Sequence, residues 1–229
     1  GKWAEALILD AMGHINHQFL FIDDGSSSFL VLDSEKKEEL VAFLEKMKFM
    51  LRVEIKDASS EYALVRLPGV PDEIGGPFHL IKRSELELFR SELNSKYQEV
   101  GIWALEAERV AAGRARLLFE VDHKSIPNEI GLLNKSVHLN KGCYRGQETV
   151  AKVNNLGQPP RKLVLLHMDG SDVDLPAIGA DIERDGIKVG FIGTVARHHE
   201  LGNIALGIVK RNVEADSSLS VAGIAAKIN

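Results

Sequence analysis

The last third of the chain constrains the fold most, because its apolar residues fall into short segments separated by turns. Asp185-Gly186, between two of these segments, is a strong signal for a two-residue β-hairpin turn. Short glycine-containing strands at this spacing are typical of a small β-barrel, in which every strand is hydrogen-bonded on both sides. We therefore predict a C-terminal barrel with strands at residues 162–168, 181–184, 187–193, 204–209 and 225–228.

The first half of the chain instead alternates strand patterns with amphipathic helices. Three successive strands are followed by a helix and then by further strands, so this region is expected to contain an antiparallel sheet. We therefore predict an α+β fold class, in which an antiparallel-sheet region precedes the barrel. The strands of this region are expected at residues 4–9, 15–22, 28–32, 52–56, 62–67 and 78–81.

Helices are predicted between and after these strands. Asp33 or Ser34 is expected to cap the first helix, whose apolar face extends as far as Leu51. A capping box, in which a glutamate follows a serine at the third position, opens the second helix at Ser84. The third helix is expected to end at Gly113, because glycine readily adopts the backbone that terminates a helix.

Irregular segments interrupt this pattern. Residues 68–77 are rich in proline and glycine and form a predicted connector, residues 114–140 lack a clear period, and residues 154–160 have the composition of a linker. Long irregular segments inside a compact domain tend to carry function. We expect two domains, with the antiparallel-sheet region at residues 1–157 and the barrel at residues 158–229.

The composition limits the functions that need to be considered. The chain has 229 residues and a net charge of −5, so no overall positive field attracts nucleic acid or an anionic membrane. A single cysteine excludes an internal disulfide and a cysteine-only metal site within one chain, and it fits a reduced setting, in the cytoplasm or in an organelle matrix. Since the sequence shows no signal peptide and no apolar run of about 18 residues, neither secretion nor a membrane span is expected. The chain opens almost directly into a strand, so we expect that some N-terminal sequence is missing.

The single cysteine lies in the segment with the densest chemistry. Lys141 and Arg145 flank Cys143 at a spacing of two residues, so in an extended backbone the three side chains share one face. Two cations beside a thiol favour the thiolate, and a helix beginning near Gly146 would add the positive end of its dipole. A reactive or metal-ligating cysteine is one interpretation. The other is a buried structural cysteine, since free cysteine is among the most buried residue types.

Other candidate sites have weaker patterns. His198-His199-Glu200 resembles a metal-binding cluster, but adjacent residues of a strand point to opposite faces, so we predict a solvated loop and no metal site. His14 and His17 are expected at the surface or partly packed. The sequence contains no nucleophile-elbow, phosphate-loop, dinucleotide-binding or zinc-protease motif.

Several segments together resemble the YgfZ-type folate-binding proteins, which belong to the same superfamily as the glycine-cleavage T-protein, an aminomethyltransferase. The likeness is centred on residues 141–148, which are similar to the family signature K-G-C-Y-x-G-Q-E. Residues 187–195 and 203–209 resemble the C-terminal barrel of the superfamily. Further similarities are to an L-D-x-x-G turn at residues 9–13, a helix-ending R-x-x-A-G at residues 109–113 and an I-P-x-E at residues 126–129.

The resemblance implies that the chain binds tetrahydrofolate, or a one-carbon derivative of it, in a central cavity between the sheets and the barrel. It also implies a role in the assembly or repair of iron–sulfur clusters, with client proteins or other assembly factors as partners. Carried over to this sequence, the resemblance assigns catalytic roles to Lys141 and Cys143. The folate-contacting residues that it implies are Lys141, Tyr144, Arg145, Gly146, Gln147 and Glu148.

Three positions depart from the T-protein pattern. T-proteins have an acidic residue, thought to be catalytic, shortly after the L-D-x-x-G turn, where this chain has His17 and Gln18. They also hold the pterin ring with a glutamate at the position of Ala111, and alanine cannot accept the paired hydrogen bonds of a pterin. Folate-dependent aminomethyl transfer is therefore the less favoured alternative, and a non-catalytic scaffold is the third.

Overall fold

The computed structural model describes residues 2–67, 78–170 and 174–229. The chain forms two compact units. The first unit consists of Gly1–Ala6 and His17–Glu99, and the second of Leu7–Asn16 and Val100–Asn229. The predicted connector at residues 68–77 lies outside the described residues, and the predicted domain boundary at residue 157 stays a prediction.

Short strands and amphipathic helices alternate through the N-terminal half of the chain. These elements are β1 (Ala4–Leu9), β2 (Ile15–Asp23), β3 (Ser28–Val31), α1 (Lys37–Met47), β4 (Tyr62–Arg66), β5 (Phe78–Lys82) and α2 (Leu86–Leu93). The first three strands form a sheet in the order β1-β2-β3, with β2 and β3 antiparallel. A second antiparallel sheet pairs β4 with β5. The predicted α+β class with antiparallel sheets is therefore confirmed.

Two predictions for the segment after α1 are wrong. The helix ends at Met47 and the backbone turns over residues 48–51, so Leu51 lies beyond the helical face to which it was assigned. Residues 52–56 form no strand, and none of the strands in the described ranges pairs with them. A strand is stable only when a neighbour satisfies its backbone N–H and C=O groups, which an alternating sequence cannot guarantee.

Both N-terminal helices also begin differently from the prediction. Asp33 precedes a 3₁₀ turn, Ser34–Lys36, and its side chain makes no capping hydrogen bond. Ser84 lies inside the equivalent turn, Arg83–Glu85, which leads directly into α2, so no capping box forms. In both places the 3₁₀ turn supplies the first backbone hydrogen bonds, which leaves fewer free donors for a side chain to cap.

The second unit contains a closed barrel of six strands, which confirms the fold predicted for the C-terminal third. Its elements are α3 (Ile102–Ala111), α4 (Leu133–Ser136), α5 (Gln147–Leu156), β6 (Arg161–Met168), β7 (Asp181–Arg184), β8 (Ile187–His198), β9 (Gly202–Lys210), β10 (Leu219–Val221) and β11 (Ile224–Ile228). The strands follow the order β10-β11-β6-β9-β8-β7 around the barrel. The prediction missed β10, because three residues are too few to show an alternation.

Apolar side chains from successive strands fill the barrel. Leu166, Ile182 and Ile192 are completely buried there. Each side chain of this size stabilises the fold by about 1.5–3 kcal/mol when it leaves water. The hairpin predicted at Asp185-Gly186 joins β7 to β8, which pair in antiparallel register.

The segment before the barrel is helical where a linker was predicted. α5 continues through Leu156, so residues 157–160 alone connect it to β6. Val150 is completely buried and fixes the inner face of this helix. The start of α5 is thereby held against the core, immediately after the cysteine-containing segment.

Candidate functional site

Residues 141–148 form an irregular bend followed by the first turn of α5, and not an extended strand. Lys141, Cys143 and Arg145 are exposed, Tyr144 is partly buried and Gly146 is buried. Bends at the first two residues of the segment interrupt the two-residue alternation. The one-face arrangement expected of an extended backbone is therefore not formed, although the helix predicted near Gly146 is present.

Gly146 anchors this segment to the turn between β1 and β2. It has a left-handed backbone, with φ 78°, at the N-terminus of α5. A Cβ atom at this position would lie 2.6 Å from the Asp10 carbonyl oxygen and 2.6 Å from the Gly13 Cα atom. No side chain fits at such distances, and this backbone conformation is rare in residues other than glycine. Two segments far apart in sequence are thus packed backbone against backbone.

Asp10 closes the turn that receives Gly146. Its Oδ1 accepts hydrogen bonds from the backbone N–H groups of Met12 and His14, both at 2.8 Å, and its Oδ2 lies 3.0 Å from His14 Nδ1. Burial alone raises the pKa of this carboxyl, but the hydrogen bonds from His14 and Met12 outweigh burial and hold the pKa of Asp10 below its usual range. Since both carboxylate oxygens are engaged within the turn, Asp10 serves the fold.

Tyr144 turns its ring into the core while its neighbours face solvent. The ring packs against an apolar cluster that includes Leu9 and Ile130. Its hydroxyl oxygen is buried without a hydrogen-bond partner among the described residues, and burial raises the pKa of Tyr144. Lys141 Nζ lies 5.1 Å from the centre of the same ring, within range of a cation–π interaction. Tyr144 therefore fixes the backbone next to Cys143 and orients Lys141.

Cys143 is a free cysteine on the surface, so the interpretation as a buried structural cysteine is wrong. Lys141 and Arg145 are exposed on either side of it, and neither forms an ion pair with any residue in the described ranges. Gln147 and Glu148 begin α5, the first partly buried and the second exposed. An accessible sulfur flanked in sequence by two exposed cations is suited to contact with an anionic group.

The helix end that resembles R-x-x-A-G is held in place by its arginine. Arg109 Nη1 donates to Glu120 Oε2 at 3.1 Å and to the Arg114 carbonyl oxygen. Its Nη2 donates to Thr194 Oγ1 at 2.5 Å, and its Nε donates to Glu106 Oε2 at 3.2 Å. Because Thr194 lies in β8, these bonds tie α3 to the barrel. The guanidinium of Arg109 therefore stabilises the fold through these hydrogen bonds.

Glu120 is a candidate that sequence reasoning missed. It is completely buried, and its Oε2 accepts hydrogen bonds from Arg109 and from the Arg116 backbone N–H. Its Oε1 has no hydrogen-bond partner among the described residues, and it lies so close to Gly193 that a Cβ there would be 2.5 Å away. A buried carboxylate oxygen without a donor is costly unless water or a ligand supplies one. A single glutamate in an irregular segment carries no sequence pattern that could have identified it.

The segment that resembles I-P-x-E is fixed to β6 by a second arginine. Arg161 Nε and Nη2 donate to the two carboxylate oxygens of Glu129 at 2.9 and 2.8 Å, and Nη1 donates to Asp122 Oδ2 at 2.7 Å. Burial alone raises the pKa of Asp122, but hydrogen bonds from Arg161 and Ser125 outweigh it and hold the pKa of Asp122 well below its usual range. Both oxygens of Glu129 are thus engaged in holding the irregular segment to the barrel.

The positions that depart from the T-protein pattern serve packing here. His17 is buried, contrary to the expected surface or partly packed location, and its ring centre lies 5.7 Å from that of Phe43. Burial holds the pKa of His17 below its usual value. Gln18 Nε2 donates to Glu5 Oε1 at 2.6 Å, and Ala111 packs against an apolar cluster of the second unit. None of the three supplies the acidic group that a T-protein has at its position.

His198 and His199 come together, contrary to the expectation that adjacent histidines point to opposite faces, whereas His199 and Glu200 are exposed in a turn, as predicted. β8 ends at His198, which is buried, and the two rings stack with their centres 4.5 Å apart. The nearest potential metal ligands of Glu108 and the two histidines lie within 4.8 Å of one another. However, His198 Nδ1 accepts the backbone N–H groups of Glu200 and Leu201, both at 3.1 Å. The neutral ring therefore carries its proton on Nε2, which leaves no lone pair there for a metal ion.

Comparisons with known proteins find similarity to parts of two longer curated proteins. No protein-family model matches the chain. The mitochondrial iron–sulfur cluster assembly factor IBA57 homolog of Mycosarcoma maydis is 27% identical over 175 residues, which are 70% of this chain and 43% of that protein. A chloroplastic protein of Arabidopsis thaliana, whose name assigns it provisionally to the transferases, is 32% identical over 113 residues, or 49% of this chain and 25% of that protein. The match spans less than half the length of either relative.

The structure is also similar to the glycine cleavage system aminomethyltransferase T from Bartonella henselae. The TM-score is 0.76, and the match covers 100% of this chain and 75% of that chain at 17% sequence identity. The chain therefore has the fold of the T-protein, as predicted. Identity this low shows the fold alone, because one fold hosts many functions. The narrower assignment to the YgfZ type stays a prediction.

Proposed function

We propose that the protein binds tetrahydrofolate, or a one-carbon derivative of it, and acts as an accessory factor in the assembly or repair of iron–sulfur clusters. The observation that carries the proposal is the exposed thiol of Cys143, flanked in sequence by the exposed cations of Lys141 and Arg145, which form no ion pair within the described residues. Support comes from the T-protein fold and from the partial similarity to a protein named as an iron–sulfur cluster assembly factor.

Cys143 is assigned the role of a transient ligand to iron. A single thiolate cannot hold a cluster, which needs several protein or small-molecule ligands. The remaining ligands must therefore come from a client protein, from another assembly factor or from small thiols. Lys141 and Arg145 then contribute positive charge that favours contact with a thiolate-ligated cluster, which is itself anionic.

Several residues of the second unit offer the kinds of polar groups that folate binding requires. Glu120 Oε1, Asn128 Oδ1 and the Tyr144 hydroxyl are buried without hydrogen-bond partners in the described part of the chain, and they are acceptors of the kind that a pterin's amino and ring N–H groups require. Lys141 and Arg145 suit the carboxylates of its glutamate tail. When bound, tetrahydrofolate would act as the carrier of one-carbon units. The proposed contact set is completed by Gly146, Gln147 and Glu148.

Aminomethyl transfer is not favoured by the described residues. His17, Gln18 and Ala111 are packed or hydrogen-bonded within the fold and lack the carboxylates expected for that reaction.

The proposed partners are folate and iron–sulfur proteins. No helix in the described ranges is long and apolar enough to cross a membrane. A cytoplasmic location stays a prediction, since the two curated relatives are named as mitochondrial and chloroplastic.

Calorimetric titration with tetrahydrofolate tests the folate part of the proposal. We expect saturable binding, and Lys141→Met should weaken it by about tenfold, which is the loss of one charge-assisted hydrogen bond. Lys227→Met is the matched control, because Lys227 is also an exposed lysine of the second unit but lies on β11. Absence of binding, or an equal loss in both variants, would contradict the proposed folate site.

A further inference from the structure

The turn that follows α1 presents consecutive apolar side chains to solvent. The Leu51 N–H donates to the Lys48 carbonyl oxygen at 2.8 Å, which closes a four-residue turn with Phe49 and Met50 at its central positions. Their exposed fractions are 86% and 82%, and Leu51 follows at 68%. Such positions normally hold glycine, asparagine, aspartate or proline, because these residues suit the backbone of a turn and remain solvated. Exposure to water alone therefore does not explain why apolar residues occupy this turn.

Phe49 also has an unfavourable backbone. Its φ of 46° lies in the left-handed region, which is disfavoured for a bulky side chain. Because the ring is almost fully exposed, packing within the first unit offsets little of this cost. Strained residues that persist without a packing reason often mark a functional contact.

The charges around this turn oppose the charge of the whole chain. Residues 46–56 contain four lysine or arginine residues and one glutamate, whereas the chain has a net charge of −5. Lys46 and Arg52 are exposed and form no ion pair with any residue that the structure describes. The other two cations are paired with Glu45 and Glu61, at 2.6 and 2.5 Å. An occupant of this surface must therefore combine negative charge with an apolar interior.

We propose that residues 46–53, here called the apolar turn, dock on the surface of an anionic lipid membrane. In this arrangement Phe49, Met50 and Leu51 enter the boundary between headgroups and acyl chains, while Lys46 and Arg52 contact anionic headgroups. Peripheral binding of this kind depends on the apolar area inserted and on attraction between cations and anionic lipids, and the apolar turn offers both. The proposal is independent of the function assigned to Cys143.

Shape favours a lipid surface over a protein partner. A residue more than 80% exposed protrudes from its surroundings, so Phe49 and Met50 do not line a groove that could hold a peptide helix. Residues 52–56 form no strand in the structure, so they present no sheet edge to which a peptide strand could add. A bilayer interface needs no complementary shape, because its lipids surround whatever protrudes into them. The apolar turn lies in the interface and does not span it.

Sedimentation with unilamellar vesicles tests the proposal on the whole chain. Vesicles of phosphatidylcholine containing about one third phosphatidylglycerol should bind at least about tenfold more protein than vesicles of phosphatidylcholine alone, and binding should fall as salt is raised. The double substitution Phe49→Ser with Met50→Ser should lower binding by about tenfold or more, because the inserted apolar area is lost. Leu88→Ser is the matched control, since Leu88 is an exposed apolar residue on α2 of the same unit.

Two further variants separate the contributions of charge and insertion. Lys46→Glu with Arg52→Glu should abolish the preference for anionic vesicles. Phe49→Trp should give a blue-shifted fluorescence component with anionic vesicles and none with neutral vesicles, a readout that reports insertion directly. Equal binding to both vesicle types, or no binding to either, would overturn the proposal. Concentration-dependent dimerisation that the double serine variant abolishes would also overturn it, by assigning the apolar turn to a contact between two copies of the chain.

Discussion

Two groups of charged residues in the second unit differ in burial and in pairing. Around Arg161 the carboxylate of Glu129 is buried, and both of its oxygens accept hydrogen bonds from the guanidinium. Around Cys143 the neighbouring cations are exposed and unpaired within the described chain. The fold therefore uses the first group for its own stability and leaves the second available to a ligand or partner.

This difference separates segments that serve the fold from segments that are available to a ligand, although all of them resemble motifs of the same family. Asp10, Arg109 and Glu129 all belong to segments that resemble the folate-binding family, and each has its polar atoms engaged by the fold. Residues 141–148 combine both properties, because Gly146 packs against the β1–β2 turn while Cys143 faces solvent. A substitution in the buried group should change stability, whereas one in the exposed group should change chemistry alone.

The largest expected effect is on the buried ion pairs. Arg161→Met leaves the buried carboxylate of Glu129 without its cation, so we expect the free energy of unfolding to fall by about 3–5 kcal/mol. Lys188→Met is the control, because its pair with Asp181 is 61% and 45% exposed and should contribute less than about 1 kcal/mol. Urea unfolding of both variants measures the difference. Similar losses in the two would show that burial does not distinguish these pairs.

A smaller but still substantial effect is expected at the anchor of the site. Gly146→Ala introduces a Cβ within 2.6 Å of the Asp10 carbonyl oxygen and also strains a left-handed backbone, so it should cost about 2–4 kcal/mol. Gly142→Ala in the same segment is the control, since a Cβ there meets no atom within 4 Å and should cost less than about 0.5 kcal/mol. Thermal unfolding compares them, and equal stability would contradict the close backbone contact.

The sequence predicts the fold best where the pattern is local and repeated. In the barrel, β6 alternates between buried and partly buried residues and β9 is a continuous apolar run, and the Asp185-Gly186 turn has a strong local preference, so these elements were identified. β10 is too short to show a pattern. Ser84 has the sequence of a helix cap, but the preceding 3₁₀ turn replaces the cap with backbone hydrogen bonds. Local propensity is thus reliable until a neighbouring element competes for the same hydrogen-bonding groups.

The candidate site shows the corresponding limit for side chains. The exposure of Cys143 was one of two interpretations that the sequence left open, because charged neighbours favour the surface while cysteine itself favours the core. The pairing of Arg161 with Asp122 joins residues far apart in the chain, and no local pattern predicts such a contact. The side chains of His198 and His199 do not point to opposite faces, because β8 ends between these two residues. Each of these outcomes depends on tertiary packing or on where an element ends.

Replacement of the exposed cysteine should have the smallest effect on stability and the largest effect on function. Because its sulfur lies on the surface, Cys143→Ala should change the free energy of unfolding by less than about 0.5 kcal/mol. The most direct test expresses this variant in cells that lack the protein, and measures the activity of iron–sulfur enzymes beside the wild type and Gly142→Ala. The proposed role of Cys143 predicts a stable protein that restores none of the lost activity, with Gly142→Ala restoring all of it. Full restoration by Cys143→Ala would contradict the central claim.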